Sequence, residues 1–198
     1  MTWFRRTPLE GARWVVIDCE TSGLDAARDR LLSVGAVIAR DATVVTDEFF
    51  EARVRQETPS ATENILIHGI GGDAQLGGEP LAEVIDRLAR FLGDGLPVGF
   101  HAPFDAAVLR RHGLRARSKW LDLATLAPAL FPAQGKPESP LEHWLGAFGI
   151  PLRARHDALG DAFATAQLLL VALAEAKRQG VASVEALREA ATSRFLRP

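Results

Sequence analysis

The hydrophobic positions at the start of the chain follow a strand rhythm that breaks off at acids. Trp14-Val15-Val16-Ile17 is apolar throughout, then gives way to Asp18-Cys19-Glu20 and the turn Thr21-Ser22-Gly23-Leu24-Asp25. Two further β-like stretches, Leu31 to Ile38 and Thr43 to Phe50, are joined by a short polar link through Arg40 and Asp41, which predicts a hairpin and an antiparallel start to the sheet. Residues 61–70 suit a short helix, and Gly71-Gly72 with Gly77-Gly78 predict a mobile loop. From Pro80 the period lengthens to that of a helix, with Leu81, Val84, Ile85, Leu88, Phe91 and Leu92 on one face. Leu96 to Phe100 reads as a fourth strand leading into a helix from near Pro103 to Gly113. Trp120 to Leu123 reads as a fifth strand or as the start of a helix ending before Pro132.

An exposed loop rich in Pro, Gly and Lys spans 133–140, and helices follow over 141–148, 157–178 and 183–196. Strands first, then strands alternating with helices, predict an α/β fold: a mixed sheet, antiparallel at first and parallel later, flanked by helices. The expected organisation is a single domain with its core at about 13–178 and a C-terminal helix over 183–196. No internal repeat or low-complexity tract interrupts it.

Composition narrows the chemistry. A hydrophobic content of 47% and a charged content of 24% are those of an ordinary globular chain. The net charge of −2 carries no global signature of polyanion binding, so any such affinity has to be local or metal-mediated. The one cysteine excludes an internal disulfide framework and multi-cysteine metal sites, and Cys19 is expected in the core. The first residues lack the apolar stretch of a signal peptide, and no run reads as membrane-spanning, so the expectation is no membrane and a cytoplasmic location.

The acids are the unusual element. Side chains alternate along a strand, so Asp18 and Glu20 share a face and Cys19 points the other way. Two like charges at the end of a buried strand repel and resist desolvation, an arrangement that a cation between them relieves. Asp105, in the helix after the fourth strand, shares a face with Val108 and Leu109 and is expected to be buried. Asp161 lies on a stripe with Ala158, Ala162, Thr165, Leu168 and Leu169, small enough at its start for close approach to the sheet. Oxygen-only donors favour Mg²⁺ or Mn²⁺ over zinc. His156 precedes the long helix, placed to take a proton from water, while Asp157 is the expected N-cap and the rival ligand. Singly, each acid reads more readily as a cap, a turn residue or a structural hydrogen-bonding group, and it is their joint placement that points to function.

Three ordered motifs resemble those of the DEDD exonucleases, the group that includes the proofreading subunit of bacterial replicative polymerase, RNase T and oligoribonuclease. Asp18-Cys19-Glu20-Thr21-Ser22-Gly23-Leu24 matches the first motif. Phe100-His101-Ala102-Pro103-Phe104-Asp105 matches the second, with Phe100 and His101 in the usual His and Asn places. His156-Asp157-Ala158-Leu159-Gly160-Asp161-Ala162 matches the third. Ile67-His68-Gly69-Ile70 resembles a segment bordering the terminal-nucleotide pocket of the proofreading subunit. The chain contains no tyrosine, so the resemblance is to the histidine branch, whose fold is ribonuclease H-like.

The resemblance implies that Asp18, Glu20, Asp105 and Asp161 hold two divalent cations, Mg²⁺ or Mn²⁺, flanking a scissile phosphate, with His156 as general base. It implies hydrolysis from a free 3′ end of single-stranded or frayed DNA, releasing nucleoside monophosphates, with association to a DNA polymerase as a corollary. Thr21 and Gly23 are candidates for backbone contacts to the terminal nucleotide, and Leu24 and Phe104 for contacts to its bases, although Phe104 equally suits packing of its helix on the sheet. His68 is a further candidate contact, and Arg153 and Arg155 are the favoured phosphate ligands. Arg110, Arg111, Arg115, Arg117 and Lys119 form a second basic cluster, readable as a solvated helix end or as a track for the strand backbone. Asp122 reads as a structural cap. Rival readings are an RNA-trimming enzyme with the same chemistry, a non-catalytic module that binds nucleic acid or a polymerase, and, with no close histidine pair to support it, a zinc hydrolase.

Overall fold

The computed structural model describes residues 6–60, 65, 69–151 and 156–193. His68, Arg153 and Arg155 lie outside the described residues, as do most of the helix expected over 61–70 and the end of the one expected over 183–196.

Five strands form one sheet in the order β3-β2-β1-β4-β5. β1 (Trp14–Thr21), β2 (Leu31–Arg40) and β3 (Thr43–Arg53) run antiparallel, and β4 (Leu96–Gly99) and β5 (Leu121–Asp122) add parallel to β1. The hairpin between β2 and β3 closes on Asp41 and Ala42, both at positive φ (51° and 59°), the backbone that the twist of a two-residue hairpin loop requires. Parallel strands need crossovers, supplied by α2 (Leu81–Leu92) ahead of β4 and α3 (Ala102–Arg111) ahead of β5. The order of strands and helices is the mixed, helix-flanked sheet expected from the pattern.

β1 lies at the centre of the sheet, and the alternation of its side chains divides the core. Val15 and Ile17 pack with Val84, Leu88, Val108 and Leu109 of α2 and α3. Trp14 and Val16 pack on the opposite face against α4 (Leu123–Leu130) and α6 (Ala158–Arg178). α5 (Leu141–Ala147) and α7 (Val184–Ser193) complete that second layer through Trp144, Leu145, Leu187 and Ala191.

Three expectations are refined. The segment expected as a loop at Gly71–Gly78 carries a short helix, α1 (Gly72–Leu76). Its anchor is Gln75, 1% exposed, whose amide donates to Ser60 Oγ and the Ile70 carbonyl and accepts from the Ser60 backbone N–H. Tertiary hydrogen bonds therefore override the loop propensity of the flanking glycines. Trp120 to Leu123 is both of the alternatives, since β5 ends at Asp122 and α4 begins at Leu123. Finally, α6 holds an 18-residue window of mean hydropathy 1.4, long and apolar enough by length and composition to cross a membrane, contrary to expectation. In this fold its apolar face, including Ala162, Ala166, Leu168 and Leu169, is a wall of the core.

Candidate active site

The site is built where β1 runs out of apolar residues. Across the β1–β2 ladder Asp18 pairs with Gly35 and Glu20 with Ser33. Gly35 is the contact that seats the third motif: a Cβ there would stand 2.3 Å from the Ala158 carbonyl carbon and from the Leu159 nitrogen. Only a residue without a side chain lets the first turn of α6 lie directly on the strand beside Asp18. Gly35 was not among the residues singled out from sequence, although a lone glycine inside a β-branched run is the signal for such an approach.

Asp157 caps α6 as expected, its side chain accepting from the Gly160 N–H at 3.0 Å. One turn on, Asp161 faces the sheet end and accepts from the backbone N–H of His156 at 3.1 Å. That bond holds His156 in the left-handed region (φ 57°), turning its ring back toward the acids. Glu20, His156 and Asp161 each offer a ligand atom within 4.8 Å of the others. His156, expected as a proton acceptor, thus also stands within ligand distance. Asp18 and Asp105 are not part of this closest group, but the charges of Asp105, Asp161 and Glu20 act on Asp18, and that of Asp105 acts on Glu20.

Asp105 arrives from the opposite layer. It is buried (4% exposed) one turn into α3, on the face shared with Val108 and Leu109, and lies beside Cys19, which projects from the reverse face of β1. The chain enters α3 through His101, a left-handed residue (φ 59°) whose ring stands edge-on to Phe100. Asparagine and histidine are the side chains, with aspartate, that best tolerate this conformation. The backbone demand is therefore met although the motif's usual residue is replaced. Asp122 is the expected cap, and caps two helices: its Oδ1 accepts from Ala124 N at 3.1 Å and from Ala102 N at 3.2 Å.

Burial and mutual repulsion shape the electrostatics. Burial, then the charges of Asp105, Asp161 and Glu20, raises the Asp18 carboxyl well above the usual carboxylate range. Glu20 is pushed up to about 8 by burial and by Asp161 and Asp105. Asp105 is raised to about 7 by burial, although hydrogen bonding from Cys19 pulls the other way. Asp161 is raised by burial, offset in part by the His156 backbone bond and ring. Among the described residues no arginine or lysine figures in the main influences on these acids. A set of carboxylates with one imidazole and no basic partner is the donor chemistry of a hard dication.

The turn after β1 is tied by its own side chains. Thr21 Oγ1 donates to the Gly23 carbonyl at 2.6 Å, and Ser22 Oγ donates to Asp29 at 3.0 Å. The same Asp29 carboxylate accepts from the Asp25 N–H at 2.7 Å and lies where a Cβ on Gly23 would collide with it. Asp29 was likewise not singled out from sequence. Leu24, at the tip, is 92% exposed, free for contact with a ligand. Phe104 is partly buried against the core, so it serves the packing reading at least in part. In the basic cluster, Arg115 donates to the Arg110 and Leu114 carbonyls, Arg111 to the Asp29 carbonyl, and Arg117 pairs with Asp94.

The exonuclease family model RNase_T matches residues 15–169. The chain is 33% identical over 187 residues to a DNA polymerase III subunit epsilon-like protein of Rhodobacter capsulatus, covering 91% of this chain and 26% of that protein. It is 28% identical over 187 residues to the PolC-type DNA polymerase III of Bacillus subtilis, covering 91% of this chain and 13% of that one. The chain thus spans about a quarter or less of these relatives. E. coli exonuclease I in complex with a dT13 oligonucleotide superposes with a TM-score of 0.70 at 22% identity, over 85% of this chain and 42% of that chain. Exonuclease X in complex with 5′ overhanging duplex DNA gives 0.70 at 22%, over 90% and 99%. The shared architecture is the ribonuclease H-like one.

Proposed function

This chain belongs to the exonuclease family, and on that premise we propose that it hydrolyses phosphodiester bonds at the 3′ end of single-stranded or frayed DNA, releasing nucleoside 5′-monophosphates. The observation that carries the proposal is the convergence of Glu20, His156 and Asp161 within 4.8 Å at the end of β1, with Asp18 and Asp105 adding their charges from the same strand and from α3.

Asp18, Glu20, Asp105 and Asp161 are the residues that would hold two divalent cations, Mg²⁺ or Mn²⁺. Such ions, when bound, supply Lewis acidity and offset the negative charge of the reacting phosphate. The side chains do the rest. His156, fixed at its backbone by Asp161, takes the proton of the attacking water. Gly35 and the Asp157 cap set α6 so that Asp161 and His156 face Glu20. The turn held by Asp29 presents Thr21 and Gly23 to the terminal nucleotide, and exposed Leu24 meets its bases.

Two findings support DNA as the polymer and a polymerase as the setting. The relatives are named as parts or forms of DNA polymerase III, and the two structural neighbours were solved with DNA. The test uses 5′-labelled single-stranded DNA and RNA of matched sequence, with Mg²⁺, Mn²⁺ or excess chelator. Stepwise shortening of the DNA from its 3′ end, abolished by chelator, is the expected result. Shortening of RNA alone would transfer the activity to RNA trimming, and hydrolysis persisting in chelator would overturn the mechanism.

A further inference from the structure

Beside the Leu24 turn lies an open trough of about 1010 Å³ whose charged lining is three guanidinium groups, Arg110, Arg111 and Arg115, against one carboxylate, Asp25. In a chain of net charge −2 this face is a local positive patch. Asp25 is itself paired with Arg28 at 3.7 Å. Arg111 and Arg115 have structural work, since each is held by backbone carbonyls. The Arg110 guanidinium has no protein partner among the described residues, and it is exposed beside the small side chain of Ala107. Stabilising the end of α3 accounts for basic residues there in general. It does not account for a trough that fixes two of them in place and leaves the third open.

We propose that this trough is a second phosphate-binding track, taking the nucleic-acid backbone at phosphates distant from the reacting one. The proposal rests on the functional reading above and names how the substrate's remaining length is held. α3 links the two sites. Asp105 and Arg110 are five residues apart on one helix, about 7.5 Å along its axis and about 140° around it, so the helix that buries Asp105 carries Arg110 on its exposed side. Exposed Leu24, four residues beyond Glu20 in the chain, is part of its lining.

The experiment compares the parent with Arg110→Glu, and with Arg178→Glu as a basic residue at the far end of α6. Binding of a fluorescein-labelled oligonucleotide is measured by anisotropy in chelator over a range of salt. Hydrolysis is measured on the same oligonucleotide and on the p-nitrophenyl ester of thymidine 5′-monophosphate, which has no distant phosphates. Arg110→Glu is expected to bind about tenfold more weakly at low salt, with a log–log salt slope smaller by about 0.7 per lost contact. It should raise KM on the oligonucleotide with kcat kept and leave the ester unaffected, and Arg178→Glu should behave as the parent.

Loss on single strands and overhanging duplexes alike places the cleaved strand in the trough, whereas loss on duplexes alone places the complementary strand there. Equal binding and equal salt slope for Arg110→Glu and parent would overturn the proposal while leaving the catalytic reading intact. A parent that hydrolyses neither substrate, with the binding loss still present, would sink the catalytic reading and leave the track standing.

Discussion

A side-chain carbon on Gly35 would sit 2.3 Å from the carbonyl carbon of Ala158, so the strand that pairs with Asp18 and the helix that carries Asp161 touch backbone to backbone. No rotamer change relieves such a contact, because neither partner is a side chain. Gly35→Ala is therefore expected to displace the start of α6, destabilising the fold by about 1–3 kcal/mol as other overpacked sites do. At this chain length that lowers Tm by about 2–12 °C. Thermal melting checks the stability, and hydrolysis should fall more steeply than the loss of folded protein explains.

Asp18→Asn removes one charge from a group of like charges. In chelator the variant should melt above the parent, since a buried carboxyl and its repulsion are removed and, among the described residues, no basic group figures in the main influences on Asp18. With Mg²⁺ the parent should gain the more stability, and hydrolysis by the variant should drop beyond the ~10–100-fold lost when only a ligand's supporting partner is removed. Melting curves with and without Mg²⁺, run beside the activity assay, decide it. A variant less stable than the parent in chelator would contradict burial and mutual repulsion as the causes of the raised carboxyls.

The pH dependence has a defined sign. Glu20 and Asp105 titrate at about 8 and about 7 in the folded chain, against ordinary values of 4.5 and 3.8. Between those limits the folded state holds protons that the unfolded state has lost, so folding takes up protons. Their stabilising contribution is complete below the ordinary values and is lost as pH rises through about 7 and about 8. Metal-free Glu20→Gln should therefore gain Tm relative to the parent as pH rises across this window. A difference that stays flat or falls would refute the assignment.

His101 and His156 both stand in the left-handed region, at φ 59° and 57°. His101→Asn should leave stability nearly unchanged, whereas His101→Ile, β-branched in that conformation, should cost about 1–2 kcal/mol. His156→Asn keeps the backbone tolerated but removes the imidazole. It should lower kcat by about 10²–10⁴ while the protein melts as before. Chemical denaturation of the first pair and steady-state kinetics of the third variant are the measurements.

What could be read in the sequence was what local pattern dictates. The apolar run of β1, the helical stripe of Asp161 and the face shared by Asp105, Val108 and Leu109 all follow from periodicity, and all three are found as expected. What escaped was set by partners distant in sequence. Gly35 looks like any strand glycine until α6 lies on it. Asp29 looks like a surface acid until Ser22, Gly23 and Asp25 close around it. Gln75 folds a glycine-flanked segment into α1 through bonds to Ser60 that no window of neighbouring residues contains. The arrival of Asp105 beside Cys19, from the layer opposite Asp161, likewise depends on which side of the sheet each crossover takes.

The double role of Asp122 has a mechanical corollary. Its single carboxylate oxygen receives the first turns of α3 and α4, helices that belong to opposite sides of the sheet. The two sides are thereby pinned at one rivet behind the acids. Any breathing motion that parts them must break the bond from Ala102 while the bond from Ala124 stays with α4, so the gap between Asp105 and Asp161 is guarded by one hydrogen bond at a residue outside the acid group.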